Sequence, residues 1–298
     1  MRASPSLLPY LYLIASTLFW AGNFVVARAL REAWSPILLN GARWAIALAV
    51  LLPFAWGPLR THRATLRAHL GWLLALAATG VVGFQTFVYL ALATTPVVNA
   101  AILGATMPVV IALGAWAAYR DRLGRAQVWG IAVSLAGAVV VVARGDLATL
   151  ATLKATPGDL WMAAAVPCWA AYTLLLRRTP AGLPQSALVA STSALGLALL
   201  TPLVAWRLTA GETFPITPAA LAGAAYIGLF PGLVAFLFWN RGVAAIGATR
   251  AGTFLHLMPP FAAALGVAFL GERLAGYHAV GAALVVVGLV MAGRGRAR

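Results

Sequence analysis

The sequence predicts an all-α integral membrane protein in which ten transmembrane helices form two inverted-topology five-helix repeats around a central cavity. Three observations predict it. Of 298 residues, 62% are hydrophobic and only 9% charged, whereas a soluble domain carries about 25% charged residues. The apolar residues fall into ten long continuous runs. The second half of the chain matches the first at offsets of 149 to 151 residues.

A chain with so little charge cannot cover a water-exposed surface, which excludes an ordinary soluble enzyme and a disordered protein. The mean hydropathy of +0.91 agrees. A membrane β-barrel would alternate apolar and polar residues in short segments, but these runs are continuous and rich in Ala, Leu and Gly. A spanning helix needs about 20 residues. Ten of them leave connections of about nine residues and no long run for a soluble domain.

The spans are read in order from the apolar runs. The first, 8–28, is too long for the apolar region of a signal peptide and no small-residue cleavage site follows it, so it is read as a mature helix. The second, 36–56, opens on Pro36, where a missing N–H costs nothing. The third, 69–91, precedes 97–119, which follows Pro96. After 126–143, the sixth and eighth spans, 158–177 and 219–240, follow Pro157 and Pro218. Spans 186–206, 248–270 and 275–293 complete the set.

Basic residues orient the spans. With the N-terminus in the cytoplasm, the inner segments carry 14 Lys or Arg and the outer segments six, with Arg43 inside a span. Of the acids, only Asp121 is then inside. Both termini are expected in the cytoplasm of a cell whose inner (plasma) membrane the chain crosses. The net charge of +15 is thus a topology signal and a contact for anionic lipid, not a nucleic-acid footprint. The single cysteine, Cys168, permits no intramolecular disulfide.

At an offset of 151, residues 96–144 align with 247–295. The match pairs Met107-Pro108 with Met258-Pro259, Arg122-Leu123 with Arg273-Leu274, Gly130 with Gly281 and Gly137 with Gly288. An offset of 149 pairs Trp20-Ala21 with Trp169-Ala170. The boundary divides the chain into repeats 1–147 and 148–298. Five helices per repeat is an odd number, so the second copy enters the membrane inverted. Such repeats recur in secondary transporters, with the substrate between the copies near the midplane.

The first-span run Leu18-Phe19-Trp20-Ala21-Gly22-Asn23-Phe24, the Asn40-x-x-Arg43-Trp44 motif and the Gly271-Glu272-Arg273-Leu274 turn before the last span resemble the EamA-type transporters of the drug/metabolite transporter superfamily. The corresponding turn of the first repeat departs from the pattern, reading Arg120-Asp121-Arg122. The aromatic-rich spans look similar to those of the YddG-like aromatic amino-acid exporters. The resemblance implies export of amino acids, aromatic and neutral ones included, or related small metabolites.

No Asp or Glu lies deep in a span, and neither a phosphate loop, a zinc-spaced His/Cys pair nor a nucleophile–base pair is present. No catalytic residue, metal or cofactor is expected. Candidate substrate contacts are Trp20, Asn23, Phe84, Gln85, Tyr89, Trp169, Tyr172, Phe254 and His256. Trp20 and Trp169 lie at mid-span and match between repeats. Tyr89 lies near a span end, where an interfacial anchor is the competing reading. His256 is the histidine well inside a span, able either to donate to a substrate carboxylate or to tie neighbouring helices. Arg43 is read as a snorkelling or structural residue, paired with carbonyls or with an outer-loop acid such as Glu32, or as an attractor of anionic groups. Pro108, Pro167, Pro231 and Pro259 are candidate hinges.

The sequence reading is therefore an exporter of a small neutral or zwitterionic metabolite, working by alternating access, possible as a monomer. A transporter of phosphorylated metabolites would want several buried cations, and only Arg43 is available. A channel would show rings of polar side chains and oligomeric symmetry.

Overall fold

A computed structural model describes residues 7–95, 97–146, 148–151, 154, 156–270 and 275–294. Pro96, the Gly271–Leu274 turn and the terminal Arg2, Arg296 and Arg298 lie outside them. Among the described residues, ten helices are long and apolar enough to cross a membrane: α1 Leu8–Leu30, α2 Pro36–Thr61, α3 Leu70–Thr94, α4 Asn99–Tyr119, α5 Arg125–Val142, α6 Pro157–Arg178, α7 Gln185–Thr209, α8 Pro218–Ile246, α9 Ala248–Phe269 and α10 Gly276–Gly293. Both α2 and α8 run about five residues beyond the ends of their apolar runs. A helix whose backbone groups are already paired continues into the headgroup region, and Arg241 there lies over the Tyr12 ring at 5.7 Å.

Local chemistry sets the starts. Ser35 Oγ accepts from Leu38 N at the head of α2, and Thr217 Oγ1 from Ala220 N at the head of α8. The Asp159 carboxylate accepts from Thr156 N at 2.7 Å to open α6. These groups satisfy amide donors that a helix leaves unpaired. Exposed Trp56, Trp116, Trp129, Trp161 and Trp206 stand near span ends, where indole rings suit the membrane interface.

The helix packing has two-fold character. As α1 packs on α8 and α9, so α6 packs on α3 and α4; α2 packs on α7 and α5 on α10. The α5–α10 contact shows the inversion directly. A Cβ on Gly130 would lie 2.6 Å from the Gly288 carbonyl, and one on Gly137 2.6 Å from the Gly281 carbonyl. Numbers rise on one helix as they fall on the other, so repeat mates α5 and α10 run antiparallel. Only glycine allows these backbones to approach so closely.

Among the described residues, four helices depart from regular geometry in their interiors, again in matched pairs, and α6 ends in a 3-10 turn over Leu176–Arg178. Within α3, Ala77–Gly83 is π-helical, and within α8 so is Gly228–Val234, 151 residues on. Phe84 N bonds to Thr79 O and Ala235 N to Phe230 O, each five residues back. The helix α4 breaks at Thr106, before Met107 and Pro108. The helix α9 narrows to a 3-10 turn over Phe254–Leu257, before Met258 and Pro259. Pro231 sits in a π segment, whereas Pro167 is accommodated inside the continuous α6.

Candidate functional site

A cavity of about 90 Å³ lies between the repeats. From the first repeat it takes Trp20 and Asn23 of α1, Phe84 and Gln85 of α3, and Met107 of α4; from the second it takes Trp169 of α6 and Met258 and Pro259 of α9. The repeat mates Trp20 and Trp169 meet edge to face at 4.9 Å, and Phe84 packs on Trp169 at 4.7 Å. Met107 and Met258, also mates, supply flexible thioethers that adapt to different apolar shapes.

The wall is apolar except at Asn23 and Gln85, and Arg43 of α2 organises both. Arg43 is 0% exposed. Its Nη1 donates to Asn23 Oδ1 at 3.2 Å, Gln85 Oε1 at 3.1 Å and Tyr89 Oη at 3.0 Å; its Nη2 donates to the Pro231 carbonyl at 2.8 Å. Tyr89 in turn donates to Asn23 Oδ1 at 3.1 Å. The guanidinium lies 5.6 Å from the Trp44 ring centroid and 6.0 Å from that of Phe236. A buried cation is costly unless an anion or several dipoles compensate it. Here the compensation comes from neutral groups and aromatic faces alone. Because the Arg43 guanidinium occupies both amide oxygens, the NH2 groups of Asn23 and Gln85 are left for the cavity that both residues line. The result is a pair of hydrogen-bond donors backed by a positive charge that no anion neutralises among the described residues.

The π segment of α8 contributes to this arrangement. Ala235 N pairs with Phe230 O, and the Pro231 carbonyl receives both Arg43 Nη2 and Trp20 Nε1, the latter at 3.0 Å. Close packing keeps Arg43 in place: a Cβ on Gly232 would lie 3.3 Å from Arg43 Cγ.

The expected site residues separate into two groups. Trp20, Asn23, Phe84, Gln85 and Trp169 line the cavity, as does Pro259. Tyr89, Tyr172, Phe254 and His256 are buried behind its wall. Tyr89 is 3% exposed, so the interfacial-anchor reading does not hold for it. His256 uses both ring nitrogens on protein, with Ser134 Oγ at 2.7 Å and the Ala105 carbonyl at 2.9 Å. It thus ties α9 to α5 and α4, and in this state has no nitrogen left to offer a substrate. Phe254 packs against Tyr10. Arg43 neither snorkels nor meets Glu32, which pairs with Arg31 at 3.6 Å. At the C-terminal end of α6, Arg177 forms an ion pair with Asp121 and lies over Tyr119 at 4.1 Å. Among the described residues, no group of three or more His, Cys, Asp or Glu is placed to hold a metal ion.

Sequence reasoning undervalued Arg43, did not single out Asn240, and weighed Trp239 as an interfacial anchor, although it is fully buried. The partners of Arg43 come from α1, α3 and α8, and nothing in local sequence joins them. The Met107/Met258 identity was the available signal for the methionine pair.

A sequence profile of the EamA-like transporter family matches residues 7–143 and again 156–294. The chain belongs to the EamA-like transporter family. It is therefore a membrane transporter built from two copies of the EamA unit. It is similar to an uncharacterised transporter, YyaM, of Bacillus subtilis (27% identity, covering 95% of this chain and 92% of the relative). A probable terminal-alkyne amino-acid exporter of Streptantibioticus cattleyicolor is 29% identical over 95% of this chain and 92% of its own. A crystal structure at 24% identity superposes with a TM-score of 0.74, covering 95% of this chain and 96% of that one, so the EamA transporter shares its fold.

Proposed function

We propose that this EamA transporter exports small neutral amino acids, aromatic ones included, or closely related metabolites, by alternating access. The observation that carries the reading is the Arg43 cluster, which presents amide donors and a positive charge at one edge of an otherwise apolar cavity. A zwitterion with an apolar side chain matches this division: its carboxylate meets the Asn23 and Gln85 NH2 groups, and its side chain lies against Trp20, Phe84 and Trp169. The amino-acid exporter among the relatives supports the same class.

The repeats, 1–147 and 148–298, move against each other in this mechanism. Pro108 and Pro259, beside the breaks of α4 and α9, and Pro231, in the π segment of α8, are its hinges, with Pro167, inside the continuous α6, as a fourth. The chain sits in the cell inner membrane with both termini cytoplasmic, which places the Arg43 cluster toward the outer face. It works without cofactor, and a monomer contains the whole cavity. With no carboxylate deep in a span, we favour exchange or facilitated diffusion over dedicated proton coupling.

The test is counterflow in proteoliposomes preloaded with a panel of amino acids. Trans-stimulated uptake of labelled leucine or phenylalanine, lost on Trp169→Ala, is expected. Stimulation by no amino acid would overturn the substrate class. A pH-gradient-driven flux that vanishes in His256→Ala would overturn the coupling reading.

A further inference from the structure

The two repeats carry the same buried pair with its members exchanged. The offset of 149 that matches Trp20 with Trp169 carries Asn23 onto Tyr172. The offset of 151 that matches the two π segments carries Tyr89 onto Asn240. In the first copy the hydroxyl of Tyr89 on α3 donates to Asn23 Oδ1 on α1 at 3.1 Å. In the second the hydroxyl of Tyr172 on α6 donates to Asn240 Oδ1 on α8 at 2.9 Å. The geometry recurs although the residues have changed places.

The surroundings differ. Arg43 falls on Thr192, whose hydroxyl bonds back to Leu188 O in its own helix, and Gln85 falls on Phe236. The second pair therefore has no cation. It has spare donors of its own, as the first copy has in Arg43 Nε and Trp44 Nε1. Asn240 Nδ2, Trp239 Nε1 and Trp169 Nε1 are buried and have no acceptor among the described residues. The first copy's Trp20 Nε1, by contrast, is satisfied by Pro231 O. The group is contiguous: Trp169 stacks on Tyr172 at 5.2 Å and lies 5.5 Å from Trp239. Trp169 is also part of the cavity wall. Native proteins leave few buried donors unpaired, and a membrane interior offers no bulk water to satisfy them. Three N–H groups without a neighbouring acceptor are a site for an acceptor that arrives.

We infer that Tyr172, Asn240, Trp239 and Trp169 form a second subsite for the substrate's carboxylate, neutral where the Arg43 subsite is charged. It is closed in this structure and opens when the carrier faces the other way. The inference rests on the amino-acid reading above. With both termini cytoplasmic, this subsite lies toward the inner face and receives the carboxylate of cytoplasmic substrate. The carboxylate then passes across Trp169 to Asn23 and Gln85 and leaves outward.

The experiment measures KM for labelled leucine separately at each face, in proteoliposomes sorted by the side on which a terminal tag is accessible. Asn240→Leu is expected to raise the inner-face KM about tenfold or more, the loss of a hydrogen bond to a charged group, with the outer-face KM within about twofold. Asn240→Asp, nearly isosteric, is expected to abolish inner-face binding of leucine and admit its decarboxylated analogue, 3-methylbutylamine. Tyr172→Phe keeps the test alive if Asn240→Leu does not yield monodisperse protein, and is expected to shift the inner-face KM alone. Unchanged KM at both faces, or an equal change at both, in folded variants of an active carrier would overturn the subsite alone. A wild type that carries no amino acid would instead overturn the amino-acid reading, and this inference with it.

Discussion

Replacing Arg43 with methionine separates stability from transport. Four acceptors lose a donor, but three keep a partner: Pro231 O retains Trp20, Asn23 Oδ1 retains Tyr89, and the Tyr89 hydroxyl still donates. Only Gln85 Oε1 is stranded, at a cost of about 1–3 kcal/mol. Against this, the variant no longer holds a guanidinium in a dry site without an anion. Exchanging buried ionic groups for apolar residues of similar volume is often neutral or stabilising by about 1–4 kcal/mol. The two effects are of similar size, so Arg43→Met is expected to unfold within a few degrees of the parent. Transport behaves differently. Without Arg43 on their oxygens, Asn23 and Gln85 are free to turn their amides, and one of their hydrogen bonds to the substrate carboxylate, worth about 1.5–3 kcal/mol, is expected to be lost; about 1.4 kcal/mol is tenfold. The KM for amino acids is therefore expected to rise about 10- to 150-fold. Thermal unfolding in detergent, followed by tryptophan fluorescence, and counterflow on the same preparation measure both. A variant that unfolds far below the parent yet transports normally per folded molecule would show that Arg43 only holds α1, α2, α3 and α8 together, and the argument would fail.

Other outcomes follow from the same geometry. Gln85→Glu sets a carboxylate beside Arg43; it is expected to keep or raise the unfolding temperature while suppressing uptake of carboxylate substrates, and normal counterflow would contradict this. Gly137→Leu places a side chain against the α10 backbone and is expected to destabilise by about 1–3 kcal/mol; Gly57→Ala, with open space around it, is the control and is expected to be neutral or slightly stabilising. His256→Ala empties a buried site and strands the Ala105 carbonyl; a loss of about 2–4 kcal/mol with an unaltered KM per folded molecule is expected, and a selective KM change would return His256 to the substrate. For orientation, cysteines introduced at Glu32 and Arg63 in a Cys168→Ala background are expected to react with an impermeant maleimide from outside and inside respectively.

The ten spans and their matched halves were legible because bilayer thickness and the pairing of every backbone group impose them on any chain of this kind. The placement of Trp20 and Trp169 was legible for a related reason: an identity repeated at mid-span cannot be an interfacial anchor. The π segments were not. Gly80 and Pro231 are repeat mates of different type, and one added residue per turn leaves a uniformly apolar run unchanged. Arg43 was visible as a buried charge, but its role depends on acceptors from three other helices that only packing brings together. The pairing of Tyr89 with Asn23 and of Tyr172 with Asn240 escaped for a subtler reason. Matching identities cannot detect a hydrogen bond whose two members have traded helices. His256 shows the converse case, where a polar residue deep in a span holds helices together and leaves the cavity to others.

That a cation stands beside only one of the two Asn–Tyr pairs constrains how the carrier can run. Substrate can bias the two orientations only through its different affinity for each. For an uncoupled carrier of a net-neutral zwitterion, the free energies around the cycle must close, so Vmax/KM is the same at both faces. If the charged outer pair binds more tightly, its lower KM brings a proportionately lower Vmax. The protein is then kinetically lopsided without being able to concentrate its substrate: supply and demand on the two sides set the direction of flow, and Arg43 sets how soon each side saturates.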